Sequence, residues 1–287
     1  MTLHTLIAEP HPSYTLLDSG HGRKLERYGD YTFIRPEPQA MWTPAQEDWL
    51  ANGEFLPAAD ADGGGRWHLA DSVPKSWPLA RDDIRFHAAN TPFRHLAFFP
   101  DMAPQWDWMC GRTGADDEVM NLFGYTGVGS LLLARRGARV THVDASKKAV
   151  AAARDNQTLS GMDDAKIRWL VEDAVKYAER EVRRGRRYDG ILLDPPKFGR
   201  GPKGERWELN DTLPHLIEIL GQLLDKNSKY LVLTAYAIRM SAIAIEELLK
   251  HNLSHLGGRI EAGEMTVREE ARGLLLPTAI FARWVRD

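Results

Sequence analysis

The sequence predicts an α/β fold, a doubly wound and mostly parallel sheet, with a small β-rich module before it. Three observations predict it. After Gly111, short apolar runs alternate with longer segments of helical apolar spacing, joined by short loops. That is the pattern of a parallel sheet covered by helices on both faces. From Leu16 to about Phe98 the chain reads instead as short strands and turns, such as "YTFIRP" and "VPKSWPL". Finally, four successive strand ends in the second part carry a glycine turn or an acid, where a doubly wound fold meets its ligand. The expected division is 1–97 for the β-rich module and 98–287 for the α/β domain.

Each element has its own signal. The Gly63–Gly65 run, flanked by Asp60 and Asp62, reads as a loop or hairpin tip. Trp42, Trp49, Trp67, Trp77, Trp106 and Trp108 precede Gly111. We read them as indoles filling the core of a module with few aliphatics, rather than as a stacking surface for RNA. "EVMNLFGY" is a short apolar strand, and "VGSLLLARRG" a helix ending at Gly137. "ARVTHVD" is a strand, followed by a helix from N-cap Ser146 to Gly161. "KIRWLVED", "YDGILLDPP" and "KYLVLTAY" are strands, separated by helices in "AVKYAEREVRRG" and "LNDTLPHLIEILGQLLD". The helix "SAIAIEELLKHN" precedes two strands near "RIEAGEMTV" and "TAIFARWV", expected as an antiparallel hairpin at one edge.

Composition narrows the classes. Apolar residues are 43% and charged ones 27% of 287, a globular balance. The formal charge of −3 gives no global field for nucleic acid, so such a site would be a local patch. Cys110 is the only cysteine, which rules out an internal disulfide and a thiolate zinc site and suits a reducing cytoplasm. No metal is expected. The start "MTLHTLIAEPHPSY" does not read as a signal peptide, and no apolar run is long enough to span a membrane. A homo-oligomer is left open.

The strand ends point to the ligand. The first ends in Gly124-Tyr125-Thr126-Gly127-Val128-Gly129, where glycine permits positive φ and close backbone approach. Its order, G-x-x-G-x-G, is not the dinucleotide fingerprint. The second ends in Asp144, 20 residues after Gly124, placed to accept from a ribose diol. The third ends in Glu172-Asp173 and the fourth in Asp194-Pro195-Pro196. Taken singly, Asp144 and Asp173 also read as helix-cap residues. Together the acids make a negative crevice, unsuited to pyrophosphate and suited to a ribose, an adenine and a cation. S-adenosylmethionine, a sulfonium, carries all three.

"NLFGYTGVGS", "VDAS", "ARDNQTLSGM", "VED" and "LLDPPKFG" resemble the successive motifs of class I S-adenosylmethionine-dependent methyltransferases. More narrowly, they are similar to the large-subunit (23S) ribosomal RNA methyltransferase family, over roughly residues 90–250. The segment "FRHLAFFPDMAPQWDWM" stands where that family covers the cofactor, and residues 16–42 resemble part of some members. The PUA-type domain that several members carry is not recognised here. The resemblance implies a Rossmann-like methyltransferase sheet. It implies that Asn121, Phe123, Gly124, Tyr125, Thr126 and Gly127 wrap the methionine and ribose. Asp144 would take the ribose hydroxyls, Ala145 and Ser146 would line the adenine, and Asn156 would belong to the same site. Asp173 would accept from the adenine amine beside Ala174, and Asp194 would sit near the donor's amino group. Gln105, Trp106, Phe98 and Phe99 would close the site.

The motif "LLDPPKFG" bears on chemistry. A C5-cytosine route needs a cysteine nucleophile, and neither "DPPK" nor "LTAYAIRM" holds one. Cys110 reads as packing. Transfer to a nitrogen or oxygen lone pair remains, with Asp194, Pro195, Lys197 and Phe198 as candidate catalytic residues. Phe198, one position late for the exocyclic-amine pattern, would stack a base. Lys197 would meet a phosphate or base carbonyl, or is simply solvated. Between Lys176 and Arg206 ten cations face five acids, a patch for RNA phosphates or a solvated helix end. The expected activity is methylation of a ribosomal RNA base. The rivals are a methyltransferase of a small molecule or protein, a nicotinamide oxidoreductase and a binding module without catalysis.

Overall fold

The first strand, β1 (Leu3–Ala8), joins a sheet whose other members all lie after residue 117. The computed structural model describes residues 3–58, 64–236 and 239–286. Of the expected hairpin tip, Asp60, Asp62 and Gly63 lie outside the described residues, and Gly65 begins a strand. β2 (Thr15–Gly20), β3 (Arg23–Tyr28), β4 (Tyr31–Pro36), β5 (Gly53–Pro57) and β6 (Gly65–Leu69) form a five-stranded sheet in that order. β7 (Ser76–Arg81) and β8 (Ile84–Ala89) form a separate antiparallel hairpin.

The second part follows the expected alternation. Helix α1 (Ala103–Cys110) leads to β9 (Glu118–Leu122), α2 (Val128–Arg135), β10 (Arg139–Asp144) and α3 (Lys147–Leu159). Then come β11 (Ile167–Val171), α4 (Ala174–Arg183) and β12 (Gly190–Leu193). A small hairpin, β13 (Phe198–Arg200) and β14 (Arg206–Glu208), precedes α5 (Leu209–Gly221), β15 (Tyr230–Tyr236) and α6 (Ala242–Leu253). β16 (Arg259–Arg268) and β17 (Leu275–Val285) end the chain. The eight-stranded sheet runs β1-β16-β17-β15-β12-β9-β10-β11. β11, β10, β9, β12 and β15 are parallel, and β17 is antiparallel to β15. The final strands are therefore interior, and β1 takes the edge position expected for them.

Two compact units result. The smaller comprises 7–103 and 266–277, and the larger 1–6, 104–265 and 278–287. In the larger unit Ile191 and Leu193 of β12, Leu231 and Leu233 of β15, Leu216 and Leu220 of α5 and Leu249 of α6 form one buried cluster. Each such side chain contributes about 1.5–3 kcal/mol by leaving water. In the smaller unit Tyr28, Phe33 and Trp77 pack ring against ring, and buried Glu26 pairs with Arg35 at 2.6 Å. The indole reading is correct for Trp77, buried in this core. It is corrected for Trp42, Trp49 and Trp67, which are half-buried. Their ring N–H groups donate to Ser19, Asp18 and the Thr91 carbonyl, so they act as polar anchors as much as filling. Trp106 and Trp108 belong to the larger unit, on α1.

Candidate active site

Because β11, β10, β9 and β12 are parallel neighbours, their carboxyl ends share one edge of the sheet. That brings together the glycine turn, Asp144, Asp173 and Asp194. Phe123 and Tyr125 both adopt positive φ, 57° and 50°, a conformation that costs a non-glycine residue about 1–2 kcal/mol. Gly124 between them does not, which corrects the expected reason for that glycine. A Cβ there would strike the imidazole of His142, so Gly124 is required for closeness. Gly127 meets both demands: its φ is 81°, and a Cβ would lie 2.8 Å from that of Ala153.

The strained turn is held from three sides. The Tyr125 amide donates to Asp144 Oδ2 at 2.9 Å, and the Ser146 amide to Oδ1 at 2.8 Å. The Asn156 amide group donates to the Thr126 carbonyl at 2.9 Å. Underneath, Asn121 Nδ2 donates to Ser130 Oγ at 2.8 Å, and Ser130 Oγ lies 3.0 Å from His142 Nδ1. Asn121 and His142 are register partners on β9 and β10. A hydroxyl accepting from Asn121 is free to donate to Nδ1 of a neutral ring. Burial pushes the His142 pKa down to about 3, against a backbone contact with Tyr125. Burial also raises the Asp144 carboxyl, against the two amide bonds it accepts. His142 and Ser130 were not anticipated; their signals were only a histidine in an apolar strand and a serine in an apolar helix.

Other predicted residues are placed as follows. Ser146 caps α3, as expected, accepting from the Ala149 amide, with half-buried Ala145 before it. Asp173 caps α4, accepting from the Lys176 amide at 3.0 Å, beside buried Ala174. Asp194 is half-buried at the end of β12, its amide donating to the Leu122 carbonyl. Gln105 and Trp106 lie on α1. The Gln105 Oε1 accepts from Arg283 at 3.1 Å, and the Trp106 ring packs on Gly129 in the first turn of α2. Phe98 and Phe99 fall in the smaller unit, Phe98 buried against Phe86 and Phe99 beside His95.

The proline lip is anchored by a residue the motif reading missed. Trp207, buried on β14, donates its ring N–H to the Pro196 carbonyl at 2.6 Å. Its ring also sits 4.7 Å from that of Phe123 in the glycine turn. The Lys197 carbonyl accepts from the Leu209 amide at 3.0 Å. Pro195 is buried, whereas Lys197 is exposed and Phe198 is 49% exposed. The Lys197 ammonium lies 4.9 Å from the Phe198 ring centroid. Cys110 ends α1 two residues after Trp108, whose ring lies 5.8 Å from that of Tyr230, the first residue of β15, and so toward the opposite end of the sheet from this crevice.

The cationic stretch is less free than its count suggests. Lys176 pairs with Glu205, Arg180 with Glu172, Arg184 with Glu181, Arg186 with Glu118 and Arg206 with Glu208. Among the described residues no cluster of His, Cys, Asp and Glu could hold a metal, and no helix is long and apolar enough to cross a membrane.

A glycine turn, an acid on the second strand and a rigid acidic lip on the fourth define an α/β protein of the adenosyl-cofactor-binding class. The chain belongs to the S-adenosylmethionine-dependent methyltransferase family, whose model matches residues 44–248. S-adenosylmethionine is its cofactor and methyl transfer its activity, so the nicotinamide reading and the purely binding module are set aside. The S-adenosylmethionine-dependent methyltransferase of Agrobacterium tumefaciens, known from its crystal structure, is 42% identical with a TM-score of 0.94. The match covers 100% of this chain and 95% of that one. A putative methyltransferase from Streptococcus mutans shares the fold at 14% identity and a TM-score of 0.73, over 95% of this chain and 75% of that one. Among curated relatives, ribosomal RNA large subunit methyltransferase I of Tolumonas auensis is 38% identical over 91 residues, 31% of this chain. The match spans only 23% of that relative's length.

Proposed function

We propose that this methyltransferase modifies a base of ribosomal RNA, in the cytoplasm, by direct transfer without a covalent enzyme–base adduct. The observation that carries the reading is the lip: a half-exposed Phe198 beside Lys197, on a proline turn tied by Trp207 to the donor-side turn. An exposed ring beside an acid-proline strand end suits a base taken out of its stack. The partial relatives named as ribosomal RNA methyltransferases support RNA as the acceptor. When bound, the cofactor supplies an electrophilic methyl group on a cationic sulfur.

The protein's residues then divide the work. Each Asp144 oxygen already accepts one amide and keeps a second lone pair for a ribose hydroxyl. Gly127 caps α2 without a side-chain bond, so the helix N-terminus suits the donor's carboxylate. Asp173 and Ala174 would meet the adenine, and Asp194 the amino group. Asp194 and the Pro195 carbonyl would orient the acceptor, with Phe198 stacking and Lys197 meeting a phosphate or carbonyl. Alignment is the main catalytic contribution for such an in-line displacement. The position of Cys110 supports a route without a cysteine nucleophile.

A second reading, a small-molecule or protein acceptor, is favoured by the ion pairing of half the cationic stretch. Mass-spectrometric nucleoside analysis of RNA from a deletion strain separates the two. Loss of one methylated nucleoside from ribosomal RNA is expected. An unchanged nucleoside profile, with methylation instead of a metabolite or protein extract, would overturn the RNA reading.

A further inference from the structure

The β13–β14 hairpin has two unlike faces. Pairing sets Phe198 opposite Glu208, Gly199 opposite Trp207 and Arg200 opposite Arg206. Side chains alternate along a strand, so Trp207 and Gly199 share one face and Phe198, Arg200, Arg206 and Glu208 the other. The first face is the buried root, through Trp207. The second is solvated: Phe198 is 49% exposed, and the Arg206 side chain 80%.

That outer face contains a local conflict. Directly opposed residues stand about 4.5–5.5 Å apart at Cα, and like charges so placed repel. Arg206 is offset by Glu208 at 2.6 Å, a surface pair of small worth that a stronger anion can displace. Arg200 has no acidic partner among the described residues. The hairpin is nonetheless fixed at its other points. Glu205 binds Lys176 of α4 at 2.6 Å, which draws its carboxyl down to about 2, and Trp207 holds the Pro196 carbonyl. Two arginines in cross-strand register thus stand on one face of a stiff hairpin, Arg200 two residues from an exposed ring. An oxyanion between them would relieve the repulsion, and arginine forks match phosphate oxygens.

We propose that this face is a clamp for single-stranded RNA: Phe198 stacks an unpaired base, while Arg200 and Arg206 together hold a phosphate of the same strand. The proposal rests on the RNA reading above and adds to it the element that grips the strand. The ring sets the single-strand requirement, since a base must be unpaired to lie flat on it.

The test uses the full chain and a short fluorescent oligouridylate, with its duplex with oligoadenylate as the comparison, across a salt series. Wild type is expected to prefer the single strand. Arg200→Glu should weaken that binding more than roughly tenfold, and Arg200→Ala should lower the log–log salt slope by about 0.7, one phosphate on a single strand. Because Arg200→Glu turns a like-charge pair into an opposite one, its melting temperature should hold or rise, which separates lost binding from lost folding. Cofactor affinity by calorimetry should not change. Binding by Arg200→Glu equal to wild type would overturn the clamp while leaving RNA as acceptor. So would preference for the duplex, or weakened cofactor binding. If wild type binds neither nucleic acid, the clamp and the RNA reading fall together.

Discussion

On the glycine-turn side of the crevice the polar side chains are largely spent on the protein itself. Asn121 serves Ser130, Ser130 approaches His142, Asn156 holds the Thr126 carbonyl, and both Asp144 oxygens accept amides. On the lip side the backbone is tied down, but Lys197, Phe198 and Arg200 face solvent. The contrast teaches where rigidity is needed. A ligand that is the same at every turnover suits a site strained into shape beforehand, as the positive φ of Phe123 and Tyr125 implies. An acceptor that is part of a larger molecule suits exposed groups on a stiff base.

Four predictions break or sharpen that contrast, in order of expected size. Trp207 joins the two sides, so Trp207→Ala should destabilise the fold by about 3–5 kcal/mol. Trp207→Phe, losing chiefly the bond to Pro196, should cost about 1 kcal/mol. Denaturant unfolding reads both, and a Trp207→Ala protein as stable as wild type would show the sides to be independent.

Acid should act on the donor side next. The His142 pKa is held near 3 in the fold against an ordinary 6.5. The unfolded chain therefore binds its proton first, and stability falls as pH drops below about 6.5. His95 in the smaller unit, lowered to about 4 by burial, works in the same direction. Glu26, held at about 2 against 4.5, adds its loss only at lower pH, and the raised Asp144 opposes. Urea unfolding at pH 7.5 and 5 should show the decline, and His142→Asn should make it smaller. An unchanged decline would mean that His142 is not the buried neutral brace.

Phe198→Ala should lower kcat/KM for an RNA substrate by roughly 1–3 kcal/mol in free energy, the worth of one stacked base. The smallest effect should come from Cys110→Ser, which should keep nearly full activity. A covalent complex with 5-fluorocytosine-containing RNA, lost in Cys110→Ser, would contradict direct transfer.

Much of this was legible in the sequence, for identifiable reasons. The alternation after Gly111 has a period that backbone geometry enforces, and Asp144 and Asp194 occur where parallel strands end. Three things were not legible. β1 finds its partner, β16, some 250 residues away, and no local pattern encodes such a pairing. The β13–β14 strands are three residues each, in a stretch of glycine, proline and charge that reads as loop. The need for glycine at 124 comes from a histidine on the next strand, which only the β9–β10 register reveals.

The division of the crevice is tested most directly by calorimetric titration of S-adenosylmethionine into wild type, Asp144→Ala and Phe198→Ala. Asp144→Ala removes a half-buried carboxylate, the proposed acceptor for two ribose hydroxyls, and should weaken donor binding by about 2–3 kcal/mol, roughly 30- to 150-fold. Phe198→Ala should bind the donor as wild type does. Donor binding unchanged in Asp144→Ala, or abolished in Phe198→Ala, would contradict the assignment of the two sides.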